Sequence, residues 1–132
     1  MILKQNKMIT EDFVSFETAR LLKEKGFDIY VSSFYDVDGE FSRKEADWNW
    51  NIGSRYSAPT LQMAAKWLRE VHKLFIFIST WLMHENSVQY YFEIREIKTS
   101  DFETLYDYTS EELNSPEKAT EVAIKYCLEN LI

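Results

Sequence analysis

The fold is decided by one stretch, Ser57-Ala-Pro-Thr-Leu-Gln-Met-Ala-Ala-Lys-Trp-Leu-Arg-Glu-Val-His-Lys-Leu-Phe-Ile-Phe-Ile-Ser-Thr-Trp-Leu-Met83, in which a helical pattern runs directly into an apolar strand. Spacings of three and four between apolar residues predict a helix over 59–72 with one buried stripe. The stripe comprises Leu61, Ala64, Ala65, Leu68 and Val71. Pro59 suits the first helical position, with Ser57 or Ala58 as the cap. Residues 74–83 are aromatic and β-branched, which predicts a strand on which the rest of the chain packs.

A first helix is predicted over residues 16–25. Ser15 is a good N-cap, and Gly26 ends the helix because glycine adopts the left-handed conformation most easily. If this is a Schellman ending, Phe27 should fold back onto Leu22.

A last helix is predicted over residues 116–131. Ser115 caps it and Pro116 takes its first position, where a missing N–H has no cost. Cys127, the only cysteine, lies on its apolar side and is interpreted as a small core residue, not as a nucleophile.

Strands are predicted on both sides of the central pair. Residues 28–35 have strand composition, and Asp38-Gly39 after them is a signal for a tight hairpin. Trp48-Asn-Trp-Asn-Ile52 alternates as a strand does, and residues 88–98 form a long strand with one apolar face. Residues 100–114 fit either a short strand or a short helix.

These elements predict an α+β protein: a mostly antiparallel sheet of four to six strands with three helices packed chiefly on one face. A chain of 132 residues is one domain by length, so residues 1–132 are expected to form a single α+β domain. Residues 1–13 are expected to be a loosely ordered lead-in. With 45% apolar residues the chain has enough apolar side chains for a core.

Charge is distributed unevenly along this acidic chain. Residues 99–132 carry eight acids against two lysines, which is −6 of the net charge of −7. Surfaces that bind nucleic acid concentrate Lys and Arg instead, so nucleic acid is disfavoured as a partner. An acidic face can attract a basic partner, but a solvated outer helix face is the ordinary explanation.

The sequence predicts a cytoplasmic protein that does not enter a membrane. The amino terminus lacks the apolar core of a secretory signal. The longest apolar run, Leu74–Met83, is about half the ~20 residues that a membrane helix needs. A single cysteine excludes an internal disulfide framework and favours a reducing compartment.

No pattern predicts a metal or a cofactor. His72 and His84 are the only histidines, and a zinc site needs about four ligands. Asp36-Val-Asp-Gly-Glu40 lacks the spacing of a calcium loop, and a hairpin turn is favoured. Three glycines could hardly build a phosphate-binding or dinucleotide-binding loop.

Binding character is confined to the stretch from Trp48 to Tyr56. Trp48, Trp50, Arg55 and Tyr56 have the chemistry to stack on a planar ligand, a sugar or a peptide. The same alternation is also what a core strand buries, and that interpretation is favoured.

Three stretches carry a resemblance: Val14-Ser-Phe-Glu-Thr-Ala-Arg-Leu-Leu-Lys-Glu-Lys-Gly-Phe-Asp28, Tyr56-Ser-Ala-Pro-Thr-Leu-Gln-Met-Ala-Ala-Lys-Trp-Leu-Arg-Glu70 and Ala123-Ile-Lys-Tyr-Cys-Leu-Glu-Asn-Leu131. Together they resemble a group of small uncharacterised proteins encoded by gut anaerobes and by their phages or integrated elements. The resemblance implies an origin on or near mobile genetic elements. It brings no activity and no site residues with it.

Three functional hypotheses follow. The leading one is a non-catalytic accessory protein that acts through a protein partner, including a homodimer built on a sheet edge or an aromatic face. The first alternative is a small-molecule or peptide binder that uses residues 48–56. The second is an enzyme whose acids, for example Asp36, Asp38 and Glu93, converge only in the fold.

Overall fold

The computed structural model describes residues 9–84 and 87–132, with three α-helices and six strands. The helices are α1 (Phe16–Glu24), α2 (Leu61–His72) and α3 (Pro116–Tyr126), and a π-helical turn (Cys127–Leu131) follows α3. The strands are β1 (Val31–Tyr35), β2 (Phe41–Trp48), β3 (Tyr56–Ser57), β4 (Leu74–His84), β5 (Ser87–Ile97) and β6 (Phe102–Thr109). Of the predicted lead-in, residues 1–8 lie outside the described residues.

The predicted boundaries of α1 are confirmed to within one residue. The Ser15 hydroxyl accepts the Thr18 N–H, as an N-cap does. Gly26 has φ of +90°, and the Phe27 N–H donates to the Leu22 carbonyl at 2.9 Å. Phe27 and Leu22 are both buried, so the helix ends in the predicted Schellman arrangement.

The predicted start of α2 is wrong by two residues. Thr60, not Ser57 or Ala58, is the N-cap, since its hydroxyl accepts the Met63 N–H at 3.1 Å. Pro59 therefore precedes the cap; its carbonyl accepts the Val14 N–H at 3.0 Å. This pairing with the amino-terminal segment fixes where the helix begins.

The buried stripe of α2 is rotated from the predicted one. Leu61, Ala64 and Leu68 are buried as predicted, but Trp67 is also buried and Val71 is exposed. Trp67 packs edge-on against Phe27 with ring centroids 5.3 Å apart, which draws this side of the helix toward α1.

The α+β class is confirmed, but the six strands form two sheets instead of the single sheet predicted. One sheet has the order β2-β1-β3 and the other β4-β5-β6, and all pairs are antiparallel. The first sheet ends at β3 because that strand is two residues long and the chain leaves it for α2. Residues 102–109 settle the open choice at 100–114 in favour of a strand.

The helices cover one face of the sheet β4-β5-β6. α2 and α3 pack on this face, and α1 packs against α3 and β3. The alternation predicted for β5 is confirmed at its centre, where Phe92 and Ile94 are fully buried beneath the helices. One hydrophobic cluster includes residues from all three helices and from both sheets.

Candidate functional site

The predicted strand at 48–52 is wrong, because β2 ends at Trp48 and residues 49–55 form a loop. Side-chain amides replace the strand ladder in this loop. Asn51 donates from Nδ2 to the Phe27 carbonyl (2.8 Å) and accepts the Ser57 N–H at Oδ1 (2.7 Å). Asn49 accepts the Asn51 N–H at 3.0 Å. Asparagine side chains compete with backbone pairing in this way, which is why alternation did not produce a strand.

The four predicted binding residues do not form one surface. Trp48 is 51% exposed and lies against Tyr30, with ring centroids 5.8 Å apart. Trp50 is half-buried, and its indole N–H donates to the Val31 carbonyl at 2.6 Å. Its polar atom is therefore engaged within the fold.

Arg55 and Tyr56 lie on opposite faces of the first sheet. The Arg55 guanidinium covers the Phe34 ring at 4.6 Å and lies 5.8 Å from the Trp50 ring. Tyr56 is opposite Tyr35 in the ladder and contacts Phe16 from α1. Trp50 and Arg55 are thus brought together, while Trp48 and Tyr56 are separate from them and from each other.

A different surface has the character of a binding site: the helix-free face of β4-β5-β6, which we call the aromatic face. Trp81 is 54% exposed, Phe102 49% and Phe77 42%. The antiparallel register places these side chains on the side opposite the buried Phe92 and Ile94. The aromatic face comprises Phe75, Phe77, Trp81, Tyr91, Arg95, Ile97 and Phe102.

Arg95 lies at the centre of the aromatic face and contacts two aromatic rings and a carboxylate there. Its guanidinium lies 4.5 Å from the Phe77 ring centroid and 4.6 Å from that of Phe102. It also makes a two-pronged hydrogen bond to Glu93, at 2.9 and 3.0 Å. The Thr104 hydroxyl donates to the same carboxylate. Hydrogen bonds from Arg95 and then Thr104 hold the pKa of Glu93 below its ordinary value, so the pair stays ionised.

The acids proposed for an enzyme do not converge: Asp36 and Asp38 lie in the hairpin turn of the first sheet, and Glu93 lies on a strand of the second. Asp36 accepts the N–H groups of Asp38 and Glu40 at the hairpin between β1 and β2, as predicted for a turn. Glu93 is on β5 and is paired with Arg95. Burial raises the pKa of Cys127 to about 12, so its thiol is un-ionised at neutral pH. Within residues 9–84 and 87–132, no group of three or more metal-binding side chains is placed to hold an ion.

His72 gives the folded protein a pH dependence that can be measured. Its ring packs edge-on against Trp67 (centroids 4.7 Å), and its buried Nε2 has no hydrogen-bond partner in the described part of the chain. Burial lowers the pKa of His72 below 6.5. As the pH falls below 6.5 the unfolded chain takes up this proton first, so stability is lost toward the lower pKa of the folded state.

We therefore expect His72→Phe to gain stability relative to wild type as the pH falls from about 8 to about 5. Urea midpoints at both pH values measure the difference. His84 is present in both proteins, so its contribution to the pH dependence cancels in the comparison. A difference that does not change with pH would contradict the prediction.

The sequence predicted an aromatic face as one dimer surface but did not place it on β4-β5-β6, although β4 contained a signal for it. Residues 74–78 are apolar at every position, so both faces of β4 are apolar. An antiparallel strand with this pattern requires a covering layer on each side. The described helices supply one such layer only.

No protein-family model matches this chain, and no curated protein or solved structure matches it either. The resemblance to proteins of gut anaerobes and their phages therefore stays a prediction. Among the described helices, none is long and apolar enough to cross a membrane.

Proposed function

We propose that this chain is a non-catalytic accessory protein that binds a protein partner through the aromatic face. The observation that carries the proposal is the exposure of Phe77, Trp81 and Phe102 on a sheet face that no described helix covers. Contiguous exposed apolar side chains of this kind mark interaction surfaces in folded proteins.

The composition of the aromatic face supports a protein as the partner. Trp, Tyr and Arg are the residues that contribute most to protein–protein binding. Arg95 is already fixed between Phe77 and Phe102, so little side-chain freedom is lost when a partner covers it. Its charge is balanced by Glu93, so a partner that covers the centre of the face buries an ion pair and not an isolated charge.

Two tryptophans provide a matched test. Trp81 is on the aromatic face and Trp48 is on the first sheet, and their exposures are nearly equal, 54% and 51%. Wild type, Trp81→Ala and Trp48→Ala are immobilised and exposed to an extract of the native organism. A protein retained by wild type and Trp48→Ala, and depleted on Trp81→Ala, is then purified and titrated.

We expect Trp81→Ala to raise the dissociation constant of that complex about 30-fold, the effect of losing a binding-site tryptophan. Trp48→Ala is expected to leave it unchanged. If no protein is retained differently by Trp81→Ala and Trp48→Ala, the aromatic face is not the surface that binds a partner.

A second candidate function is a small-molecule or peptide binder at Trp48. The observation that favours it is the exposed Tyr30–Trp48 pair, beside a pocket of ≈ 220 Å³ that Tyr30 lines. Ligand titrations followed by tryptophan fluorescence test it. A response that Trp48→Ala abolishes and Trp81→Ala keeps supports this candidate, and a flat response in wild type removes it.

A further inference from the structure

The four sheet edges of the described structure are not equally protected against pairing with another strand. β2 carries four charges (Arg43, Lys44, Glu45 and Asp47), and β3 is two residues long. β6 carries Glu103 and Asp107 and has a bulge opposite Ile94 and Arg95. Charges, short length and bulges are the usual means of blocking an edge.

The edge of β4 has none of these protections along residues 74–82, and its register irregularity lies beyond them, between Leu82 and His84. Residues 74–83 contain no charge, no proline and no glycine, and the ladder with β5 is regular from residue 74 to 82. A long, regular, apolar edge is a template for another strand.

The alternation of hydrogen bonds between β4 and β5 shows which backbone groups of β4 point away from β5. The Ile97 N–H donates to the Lys73 carbonyl at 3.1 Å, and hydrogen-bonded pairs alternate along an antiparallel ladder. The odd-numbered residues 75–81 therefore bond to β5, and the even-numbered residues 74–80 point their N–H and C=O groups away from it. In the described part of the chain these outward groups have no hydrogen-bond partner.

A cleft of ≈ 670 Å³ lies beside this edge on the helix side of the sheet. Its apolar lining comprises Ile76 and Ile78 of β4, Leu61 and Ala65 of α2, and also Ile9 and Pro116. Glu11, Asp12 and Glu117 line the same cleft. Ile76 and Ile78 are only half-buried, whereas Ile94 on the neighbouring strand is fully buried. An added strand would place alternate side chains over this cleft, as strands do when they extend a sheet.

We propose that β4 pairs antiparallel with β4 of a second copy of this chain, which joins two three-stranded sheets into one of six strands. A two-fold axis through the pair makes each edge its own complement, so one unprotected strand is sufficient. Ile76 and Ile78 of each copy then lie on the helix side, next to the partner's cleft. The strand itself is uncharged, so repulsion between two copies of net charge −7 comes from groups beside the edge, among them Glu11, Asp12 and Glu117 of the cleft.

The proposal goes beyond the proposed function but is compatible with it. In the joined sheet the odd-numbered residues of both copies project to the same side, so two aromatic faces become continuous. Edge pairing itself leaves Trp81 and Phe102 uncovered. The dimer and the partner complex can therefore be tested separately.

The test measures mass by light scattering and sedimentation of the full chain from about 1 to about 200 μM. Thr80→Pro removes one outward N–H and no bond to β5; Thr80→Lys adds a charge to the same edge. Asp107→Pro is the matched control, because the Asp107 N–H points outward at the opposite edge, β6. Circular dichroism verifies that each variant is folded.

We expect wild type and Asp107→Pro to be dimers, and each Thr80 variant to raise the dimer dissociation constant at least about tenfold, because the two-fold axis makes each change act twice. From about 50 to about 500 mM sodium chloride the dimer should tighten, because salt screens repulsion between two acidic copies. A wild-type monomer at every concentration and salt overturns the proposal, as does a dimer that the Thr80 variants leave intact. In either case the comparison of Trp81 with Trp48 still decides the proposed function.

Discussion

Replacement of Glu121 by alanine is expected to lower the free energy of unfolding by about 2–3 kcal/mol, because its carboxylate completes the N-terminus of α1 from α3. It accepts the Ser15 N–H at 3.1 Å, the Ser15 hydroxyl at 3.0 Å and the Thr18 hydroxyl. Thr18 is fully buried, so without Glu121 its hydroxyl keeps only the Ser15 hydroxyl, 3.1 Å away, as a neighbour. Hydrogen bonds to a charged group are each worth more than neutral ones.

Urea unfolding followed by tryptophan fluorescence measures this loss, and two variants isolate its cause. Glu117→Ala removes the same charge from the same helix, but in the described residues the Glu117 carboxylate accepts no hydrogen bond. It is expected to cost about 0.5 kcal/mol or less, the effect of a charge near a helix end. Glu121→Gln keeps one acceptor and should fall between the two. Equal losses for Glu121→Ala and Glu117→Ala would show that the hydrogen bonds between α1 and α3 contribute nothing beyond charge.

The features that the sequence predicted correctly are helix caps, a helix end and a turn, all of which depend on neighbouring residues. Ser15, Gly26 and Ser115 act within a few residues of themselves, and their roles as helix caps and stop are confirmed. The turn at Asp38-Gly39 is likewise confirmed, since Gly39 has φ of +85° and the Asp36 side chain closes the hairpin. In each case the signal and the structure it specifies lie in the same short segment.

Features that depend on distant partners were not predictable. α2 begins at Leu61 because the Leu61 N–H finds the Asp12 carbonyl at 2.9 Å, a contact almost fifty residues apart in sequence. The division into two sheets depends on which strand edges meet, and strand composition does not specify that. The Glu121 contacts join residues more than a hundred positions apart.

The sequence predicted that aromatic residues form the candidate site but not which aromatic stretch is exposed. Aromatic residues are abundant in both Trp48–Tyr56 and β4, so composition alone could not rank the two. In the fold, Trp50 is half-buried with its indole N–H engaged, while Trp81 stays exposed. The difference arises because Trp50 packs on Phe34 of the first sheet, whereas Trp81 lies on a face of the second sheet that the described helices do not cover.

Replacement of Asn51 by alanine has the second large expected effect, a loss of about 2–4 kcal/mol in the free energy of unfolding, because two backbone groups lose their partners at once. The Ser57 N–H is bonded only through Asn51 Oδ1 among the described residues, and Ser57 is fully buried. The Phe27 carbonyl accepts from Asn51 Nδ2 at the end of α1. One side chain thus ties the loop at 49–55 both to β3 and to the first helix.

Asn49→Ala is the matched control, because Asn49 accepts one N–H, that of Asn51, in the same loop. Its expected cost is about 1 kcal/mol, the usual contribution of one hydrogen bond. Asn51→Asp keeps the oxygen that accepts the Ser57 N–H but places a second oxygen against the Phe27 carbonyl. It should therefore lower the free energy of unfolding although the Ser57 N–H keeps its acceptor. If Asn51→Ala costs no more than Asn49→Ala, water replaces both bonds. The loop would then be positioned by the packing of Trp50 on Phe34, whose ring centroids are 4.7 Å apart, and not by the asparagine amide.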